Sequence, residues 1–163
     1  MYAESAGPGL GSEFVVTLPL SIAARVDATS TEGRQVEAAG SRRVLVVDDN
    51  ESAARVLSLL LKAYGHDVRT AHDGLAAVET AAEFLPDVVL MDIGMPKLNG
   101  NDAARRIRQQ PWGRHMVLAA LTGLGQDDDK ARTRDAGFDH HFVKPLDVEL
   151  LRQLLAECPA RRP

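Results

Sequence analysis

Apolar and polar residues alternate in blocks between residues 42 and 157. The run at residues 44–47 is apolar at every position, which is typical of a strand buried on both faces of a sheet. Similar short segments predict five strands, at about residues 44–47, 67–71, 87–91, 116–121 and 139–143. The intervening segments, several of which follow a capping residue, predict five helices, at about residues 51–64, 74–84, 102–109, 127–136 and 148–157.

This regular alternation of strand and helix predicts the fold class. It requires right-handed crossovers, a parallel sheet and helices on both faces, so we expect a doubly wound α/β domain with five strands. In such folds the ligand site lies beyond the carboxyl ends of the strands. The residues that directly follow each strand are therefore the candidates for a functional site.

The first 41 residues have a different pattern. A turn rich in Gly and Pro at residues 7–11 leads into residues 13–18, which are typical of a strand. Residues 21–41 are small and polar and have no firm periodicity, which indicates a flexible linker. We therefore predict an N-terminal piece at 1–20, a linker at 21–41, a domain at 42–157 and a tail at 158–163.

Composition and charge exclude some classes of function. A net charge of −4 disfavours nonspecific binding to nucleic acid or to an anionic membrane, which needs clustered Lys and Arg. No apolar run approaches the roughly 18 residues of a membrane span, and the N-terminus lacks the pattern of a secretory signal. A single cysteine, Cys158, excludes an internal disulfide. We expect a cytoplasmic protein, or the cytosolic end of a membrane-bound sensor.

Chemically active residues stand at the ends of four predicted strands. Asp48 and Asp49 follow the first strand, Asp92 follows the third, Thr122 the fourth and Lys144 the fifth. If the sheet is parallel, these side chains meet at one rim. Three carboxylates at such a rim need a cation to remain ionised together, and Mg²⁺ suits hard oxygen ligands. A carboxylate can also attack phosphorus, so the set predicts phosphoryl transfer assisted by Mg²⁺.

Residues 42–157 resemble the receiver domain of two-component signalling, the family of the chemotaxis response regulator. Four segments carry the resemblance: VLVVDDN at 44–50, LMDIGMPKLNG at 90–100, LTG at 121–123, and GFD at 137–139 followed by Lys144 and Pro145. The intervals between these segments also match the family. The resemblance implies a flavodoxin-like sheet with the strand order 2-1-3-4-5.

The resemblance also implies roles for the acidic residues. Asp92 corresponds to the phosphoacceptor and also to a metal ligand. Asp49 corresponds to the direct metal ligand, and Asp48 to the ligand that acts largely through water. The main-chain carbonyl of Gly94 would complete the protein's share of the metal shell.

Three further residues take their roles from the same resemblance. Thr122 and Lys144 correspond to the pair that contacts the phosphoryl oxygens, and the bond between Lys144 and Pro145 is expected to be cis. The switch position on the fifth strand is occupied by His141. A histidine at this position leaves its coupling to Thr122 less defined than Tyr or Phe would. Phosphorylation is expected to change the surface formed by the fourth helix, fifth strand and last helix, through which a homodimer would form.

Residues 9–20 resemble the closing segment of a histidine kinase ATP-binding domain. This resemblance implies that the chain is the C-terminal end of a hybrid sensor histidine kinase. Its implied partners are a histidine kinase core, in its own chain or a separate one, and a histidine phosphotransfer protein. The fragment itself is expected neither to bind ATP nor to act as a kinase, since the remainder of an ATP site does not precede the linker.

Two other classes of function compete with the receiver interpretation. A degenerate receiver would serve only as a protein-binding module, although the complete set of site residues disfavours it. A haloacid-dehalogenase-like phosphatase also uses an aspartate nucleophile, but it needs a second Asp two residues on, where this chain has Gly94. A basic stretch at residues 105–108 is interpreted as a solvated helix face or a docking patch for an acidic partner.

Overall fold

The computed structural model describes residues 2–4, 13–15, 40–123 and 127–158. The chain forms two compact units, Met1–Gln35 and Val36–Pro163. In the first unit, the short strands Tyr2–Glu4 and Glu13–Val15 pair antiparallel. The N-terminal part of the strand predicted at 13–18 is therefore observed. The remainder of that strand and nearly all of the predicted linker lie outside the described residues.

The second unit contains the five predicted strands and five predicted helices. The strands are β1 (Arg43–Val47), β2 (Asp67–Ala71), β3 (Val88–Asp92), β4 (Val117–Thr122) and β5 (His140–Val143). The helices are α1 (Glu51–Ala63), α2 (Gly74–Phe84), α3 (Gly100–Gln109), α4 (Asp127–Ala136) and α5 (Val148–Glu157). A single 3₁₀ turn, Pro111–Gly113, connects α3 to β4.

All neighbouring strands of the sheet are parallel, in the order β2-β1-β3-β4-β5. The fold class and strand order expected from the sequence are thus confirmed. The register pairs Val47 with Met91 and Asp92 with Leu121, so β1, β3 and β4 end close to one another. This alignment brings the residues after each strand to one edge of the sheet.

Both faces of the sheet are covered by helices. Leu45 and Val47 of β1 point to a core shared with α2, α3 and the end of α4, whereas Val44 and Val46 point to a core shared with α1 and α5. All four side chains are fully buried, which explains why β1 has an uninterrupted apolar sequence. Cys158, directly after α5, is buried in the second of these cores, and burial raises the pKa of its thiol.

Helix α3 begins two residues earlier than its sequence pattern predicts. Its N-cap is Asn99, whose side chain accepts a hydrogen bond from the main-chain N–H of Asp102 at 2.9 Å. Gly100 therefore occupies the first helical position, where a Cβ atom would lie 2.3 Å from the main-chain oxygen of Asp92. Because glycine disfavours helices, its presence hid this turn from the sequence pattern. The close approach fixes α3 directly against the end of β3.

Arg108 of α3 does not lie on a solvated helix face, contrary to one of the two sequence interpretations. Its guanidinium group donates hydrogen bonds to the main-chain oxygens of Met116 at 2.7 Å, Gly137 at 2.8 Å and Gly113 at 3.0 Å. It also forms an ion pair with Asp139. One side chain thus joins α3, the 3₁₀ turn, the start of β4 and the connection between α4 and β5.

We expect Arg108→Met to lower the free energy of unfolding by about 2 kcal/mol, because it leaves several carbonyl groups without their donor. Urea denaturation followed by circular dichroism measures the change. Arg105→Met is the matched control, since the ion pair of Arg105 with Asp102 lies on the exposed surface of the same helix. This variant should lose about 0.5 kcal/mol or less. Equal losses in the two variants would contradict a special role for Arg108.

Candidate functional site

Three carboxylates meet at the carboxyl edge of the sheet. Asp48 and Asp49 follow β1, and Asp92 is the last residue of β3. One ligand atom from each of them lies within 4.8 Å of the others. Asp48 is buried, Asp92 is half-buried and Asp49 is exposed. The cluster therefore combines a fixed inner part with an outer part open to solvent.

Asp48 is held by hydrogen bonds to both of its carboxylate oxygens. Its Oδ1 accepts from the main-chain N–H of Asn50 at 2.9 Å, and its Oδ2 accepts from the ammonium group of Lys144 at 2.7 Å. Its main-chain oxygen lies 3.1 Å from Nδ1 of His72. His72 is exposed and was not among the candidate site residues. Its proximity follows from the register of β2, because His72 comes directly after Ala71, which pairs with Val47.

Asp92 shares the same ammonium group. Its Oδ2 accepts from Lys144 at 2.6 Å, and its Oδ1 accepts from the main-chain N–H of Gly94 at 2.9 Å. Burial alone would lower the pKa of Lys144, but the hydrogen bonds to Asp48 and Asp92 outweigh burial and raise it. Lys144 is therefore a firmly charged bridge between two carboxylates.

The main chain around Lys144 positions this residue at the site. The main-chain N–H of Lys144 donates to the main-chain oxygen of Thr122 at 2.7 Å, which holds the end of β5 beside the end of β4. The following bond to Pro145 is cis, as the sequence resemblance implied.

Thr122 and His141 lie beside each other at this edge. Thr122 is almost completely buried, and its hydroxyl group lies 3.0 Å from Nε2 of His141 and donates to the main-chain oxygen of Phe142 at 3.3 Å. The other ring nitrogen of His141 lies 3.3 Å from the hydroxyl group of Thr133 on α4. Thr133 was not singled out by the sequence, because α4 is polar throughout and gives no sign of which face it buries.

The loop after Asp92 is fastened to the start of α2. Lys97, which has a left-handed backbone conformation with φ of 64°, pairs with Asp73 at 2.6 Å. The hydrogen bond from the main-chain N–H of Ala76, followed by the one from Lys97, lowers the pKa of Asp73. Asp73 thus caps the N-terminus of α2 and also anchors the loop that follows Asp92.

The structure therefore brings Asp48, Asp49, Asp92, Thr122 and Lys144 together at one edge, with the main chain of Gly94 beside Asp92. Clustered carboxylate oxygens are suitable ligands for a hard divalent cation. A carboxylate with a neighbouring ammonium group is also suited to bind and stabilise a phosphoryl group. Within the described part of the chain, no helix combines the length and apolar character needed to cross a membrane.

Comparison with protein families identifies the type of domain that the second unit forms. Residues 44–156 match the response regulator receiver domain. The chain is 35% identical over 164 residues to the virulence sensor protein BvgS of Bordetella bronchiseptica, covering 94% of this chain and 13% of BvgS. It is 34% identical over 107 residues to the transcriptional regulator RpaA of Synechocystis, covering 66% of this chain and 44% of RpaA. The chain thus spans less than half the length of these relatives.

Solved structures agree with this assignment. The receiver domain of the sensor histidine kinase PA1611 from Pseudomonas aeruginosa, which holds a magnesium ion in its active site cleft, is 32% identical with a TM-score of 0.66. That similarity covers 71% of this chain and 95% of the PA1611 domain. The chemotaxis protein CheY4 of Vibrio cholerae is 28% identical with a TM-score of 0.68, covering 74% of this chain and all of CheY4. The chain therefore belongs to the response regulator receiver domain family.

Proposed function

We propose that Asp92 accepts a phosphoryl group from a phosphohistidine and that the domain thereby switches its conformation. The observation that supports this proposal is the position of Lys144, whose ammonium group bridges Asp92 and Asp48 at 2.6 and 2.7 Å. An acceptor carboxylate needs a fixed cationic group close to the incoming phosphoryl oxygens. Membership of the receiver family supports a two-component phosphorelay as the setting of this transfer.

In the proposed reaction, an oxygen of Asp92 forms a bond to phosphorus while the phosphorus–nitrogen bond of the phosphohistidine breaks. The electron pair of the broken bond remains on the imidazole nitrogen of the donor. Lys144 balances negative charge on the phosphoryl group, and Thr122 donates a hydrogen bond to one of its oxygens. The product is an acyl phosphate on Asp92.

Mg²⁺ fits this site as the cofactor. Asp48, Asp49, Asp92 and the main-chain carbonyl of Gly94 would hold it, because their hard oxygen atoms suit this ion. The ion would supply further charge neutralisation for the transferred group. The carboxylate cluster and the magnesium ion in the PA1611 receiver domain support this assignment.

We further propose that the receiver belongs to a hybrid sensor histidine kinase located in the cytoplasm or at its membrane. The similarity to the sensor protein BvgS covers 94% of this chain and so includes residues before the receiver domain. Its partners would then be a kinase core and a histidine phosphotransfer protein. Nucleic acid and direct membrane contact are not part of this proposal.

The output surface is proposed to lie on α4, β5 and α5. Val143, Val148 and Leu150 are apolar residues on β5 and α5 that remain substantially exposed. Exposed apolar groups of this kind favour contact with another protein. A homodimer through this surface, formed on phosphorylation, is the simplest arrangement.

Intact mass after incubation with acetyl phosphate and Mg²⁺ tests the function. We expect a gain of one phosphoryl group, and no gain for Asp92→Asn or in the presence of a chelator. Asp102→Asn, which changes an exposed carboxylate on α3, is the matched control and should be labelled normally. If the unchanged protein gains no phosphoryl group under any condition, the degenerate binding module becomes the better interpretation.

A further inference from the structure

A polar groove lies between helix α1 and β2, the strand at the outer edge of the sheet. Val68 of β2 is buried in the core that β1 shares with α1 and α5, and Thr70 projects from the same face of the strand two residues later. Thr70 is polar and exposed, so the apolar core ends at Val68 and space remains beside α1. The groove has a volume of about 410 Å³, which is within the range of sites that bind small molecules.

The lining of the groove is mostly polar. It includes Glu51, Arg55, Ser58, Lys62, Thr70 and His72. Arg55 and Lys62 are seven residues apart, so two turns of the helix place them on the same side of α1. Ser58 stands between them and is only 6% exposed. The groove therefore combines two cationic groups with hydroxyl groups and one carboxylate.

The two cationic groups of the groove have no carboxylate partner in the part of the chain that the structure describes. Across residues 40–123 and 127–158, no ion pair includes Arg55 or Lys62. Glu51 precedes Arg55 by four residues, a spacing that permits a pair on a helix, yet these two side chains form none. An anion in the groove would therefore gain both charges without breaking an existing ion pair.

We propose that this groove binds a small phosphate monoester that also carries hydroxyl groups, which is the chemistry of a phosphorylated sugar. The phosphate group pairs with Arg55 and Lys62, whose long side chains can converge on one anion. The hydroxyl groups of the ligand donate to Glu51 and exchange hydrogen bonds with Ser58 and Thr70. A ligand with both kinds of group thus satisfies the cations and the carboxylate together, which a bare anion does not.

His72 stands between the groove and the carboxylate cluster. Its Nδ1 donates a hydrogen bond to the main-chain oxygen of Asp48 at 3.1 Å, because a carbonyl oxygen can only accept. The groove is thus adjacent to the proposed phosphorylation site, where Lys144 could also attract a phosphate group. Binding in the groove requires neither Mg²⁺ nor phosphorylation of Asp92, so the two places can be separated by experiment.

NMR of the nitrogen-15-labelled protein, titrated with glucose 6-phosphate in the presence of a chelator, tests this site. We expect the main-chain signals of Arg55, Ser58 and Thr70 to shift, with a Kd of about 1 mM or lower. Glucose lacks the phosphate group and inorganic phosphate lacks the hydroxyl groups, so each should bind roughly tenfold more weakly. Shifts confined to the surroundings of Lys144, or no shifts at about 10 mM glucose 6-phosphate, would overturn the proposal.

Variants with matched charge separate the groove from a general effect of net charge. Arg55→Gln combined with Lys62→Gln should weaken binding of glucose 6-phosphate roughly tenfold or more. Arg105→Gln combined with Arg106→Gln removes the same charge from exposed positions on α3 and should keep the Kd within about twofold. Equal weakening in the two double variants would contradict a site in the groove.

Lys144→Gln decides between the groove and the carboxyl edge of the sheet. This variant should bind glucose 6-phosphate as the unchanged protein does, because Lys144 does not line the groove. Loss of binding in Lys144→Gln would place the ligand at the proposed phosphorylation site and overturn the proposal. The titration contains no phosphoryl donor and no free Mg²⁺, so its result stands whether or not acetyl phosphate labels Asp92.

Discussion

Lys144→Gln should slow phosphorylation of Asp92 roughly 10²-fold, which is the usual effect of removing one preorganised group that stabilises developing charge. The ammonium group of Lys144 lies 2.6 Å from Asp92, and its pKa is raised, so it is charged throughout the neutral pH range. Glutamine retains much of the side-chain length and a donor but removes the charge. The rate of mass increase with acetyl phosphate and saturating Mg²⁺ measures the effect.

Binding of Mg²⁺ by the same variant separates a lost charge from a disrupted site. Lys144 occupies one oxygen of Asp48 and one of Asp92, so its removal should leave Mg²⁺ binding unchanged or tighter in a calorimetric titration. Lys97→Gln is the matched control. Lys97 lies on the loop after Asp92, is largely exposed, and forms an ion pair with Asp73 at the start of α2. Its rate should stay within about twofold of the unchanged protein. A rate for Lys144→Gln as high as this control would contradict the role of Lys144.

Gly100→Ala should destabilise the domain by about 3 kcal/mol, at the upper end of the usual cost of overpacking. The added Cβ atom would lie 2.3 Å from the main-chain oxygen of Asp92 and 2.8 Å from Cα of Ile93. These are main-chain atoms, which cannot move aside as a flexible side chain can. The gain of about 1 kcal/mol that alanine brings to a helix is too small to compensate. Urea denaturation measures the free energy of unfolding.

Gly123→Ala is the control for this substitution, because no heavy atom of the described residues beyond its chain neighbours lies within 4 Å of its added Cβ atom. Its free energy of unfolding should stay within about 1 kcal/mol of the unchanged protein. Gly100→Ala should also slow phosphorylation, since the clash occurs at the main chain of the acceptor. A loss of less than about 1 kcal/mol for Gly100→Ala would show that α3 can move away from β3, contrary to the packing described here.

The sequence predicted the fold and the positions of the main site residues because both depend on local patterns. Alternating strands and helices determine a parallel sheet, and a parallel sheet places the ends of its strands at one edge. Asp48, Asp92 and Lys144 follow from this rule and from their positions in the chain. Their roles in phosphoryl transfer remain proposals that the mass and rate measurements test.

Other contacts depend on packing that the sequence pattern does not reveal. The position of Thr133 depends on how α4 is rotated against β5, and a helix with no apolar stripe gives no information about this rotation. The contacts of Arg108 were also not predicted, because its run of basic neighbours indicated a solvated helix face. Its burial instead arises from carbonyl groups that distant segments bring around it. The position of His72 beside Asp48 could have been predicted, because the expected strand order places the end of β2 next to the end of β1.

The reactivity of Cys158 can report local opening of the domain at the end of α5. Cys158 is the single cysteine of the chain, and the residue is only 5% exposed in the core between the sheet and α5. A thiol reagent can reach it only when the end of α5 separates from the sheet, so the labelling rate in native buffer measures that local opening. Comparing this rate before and after phosphorylation would show whether the last helix loosens or tightens, without introducing any label site by mutation.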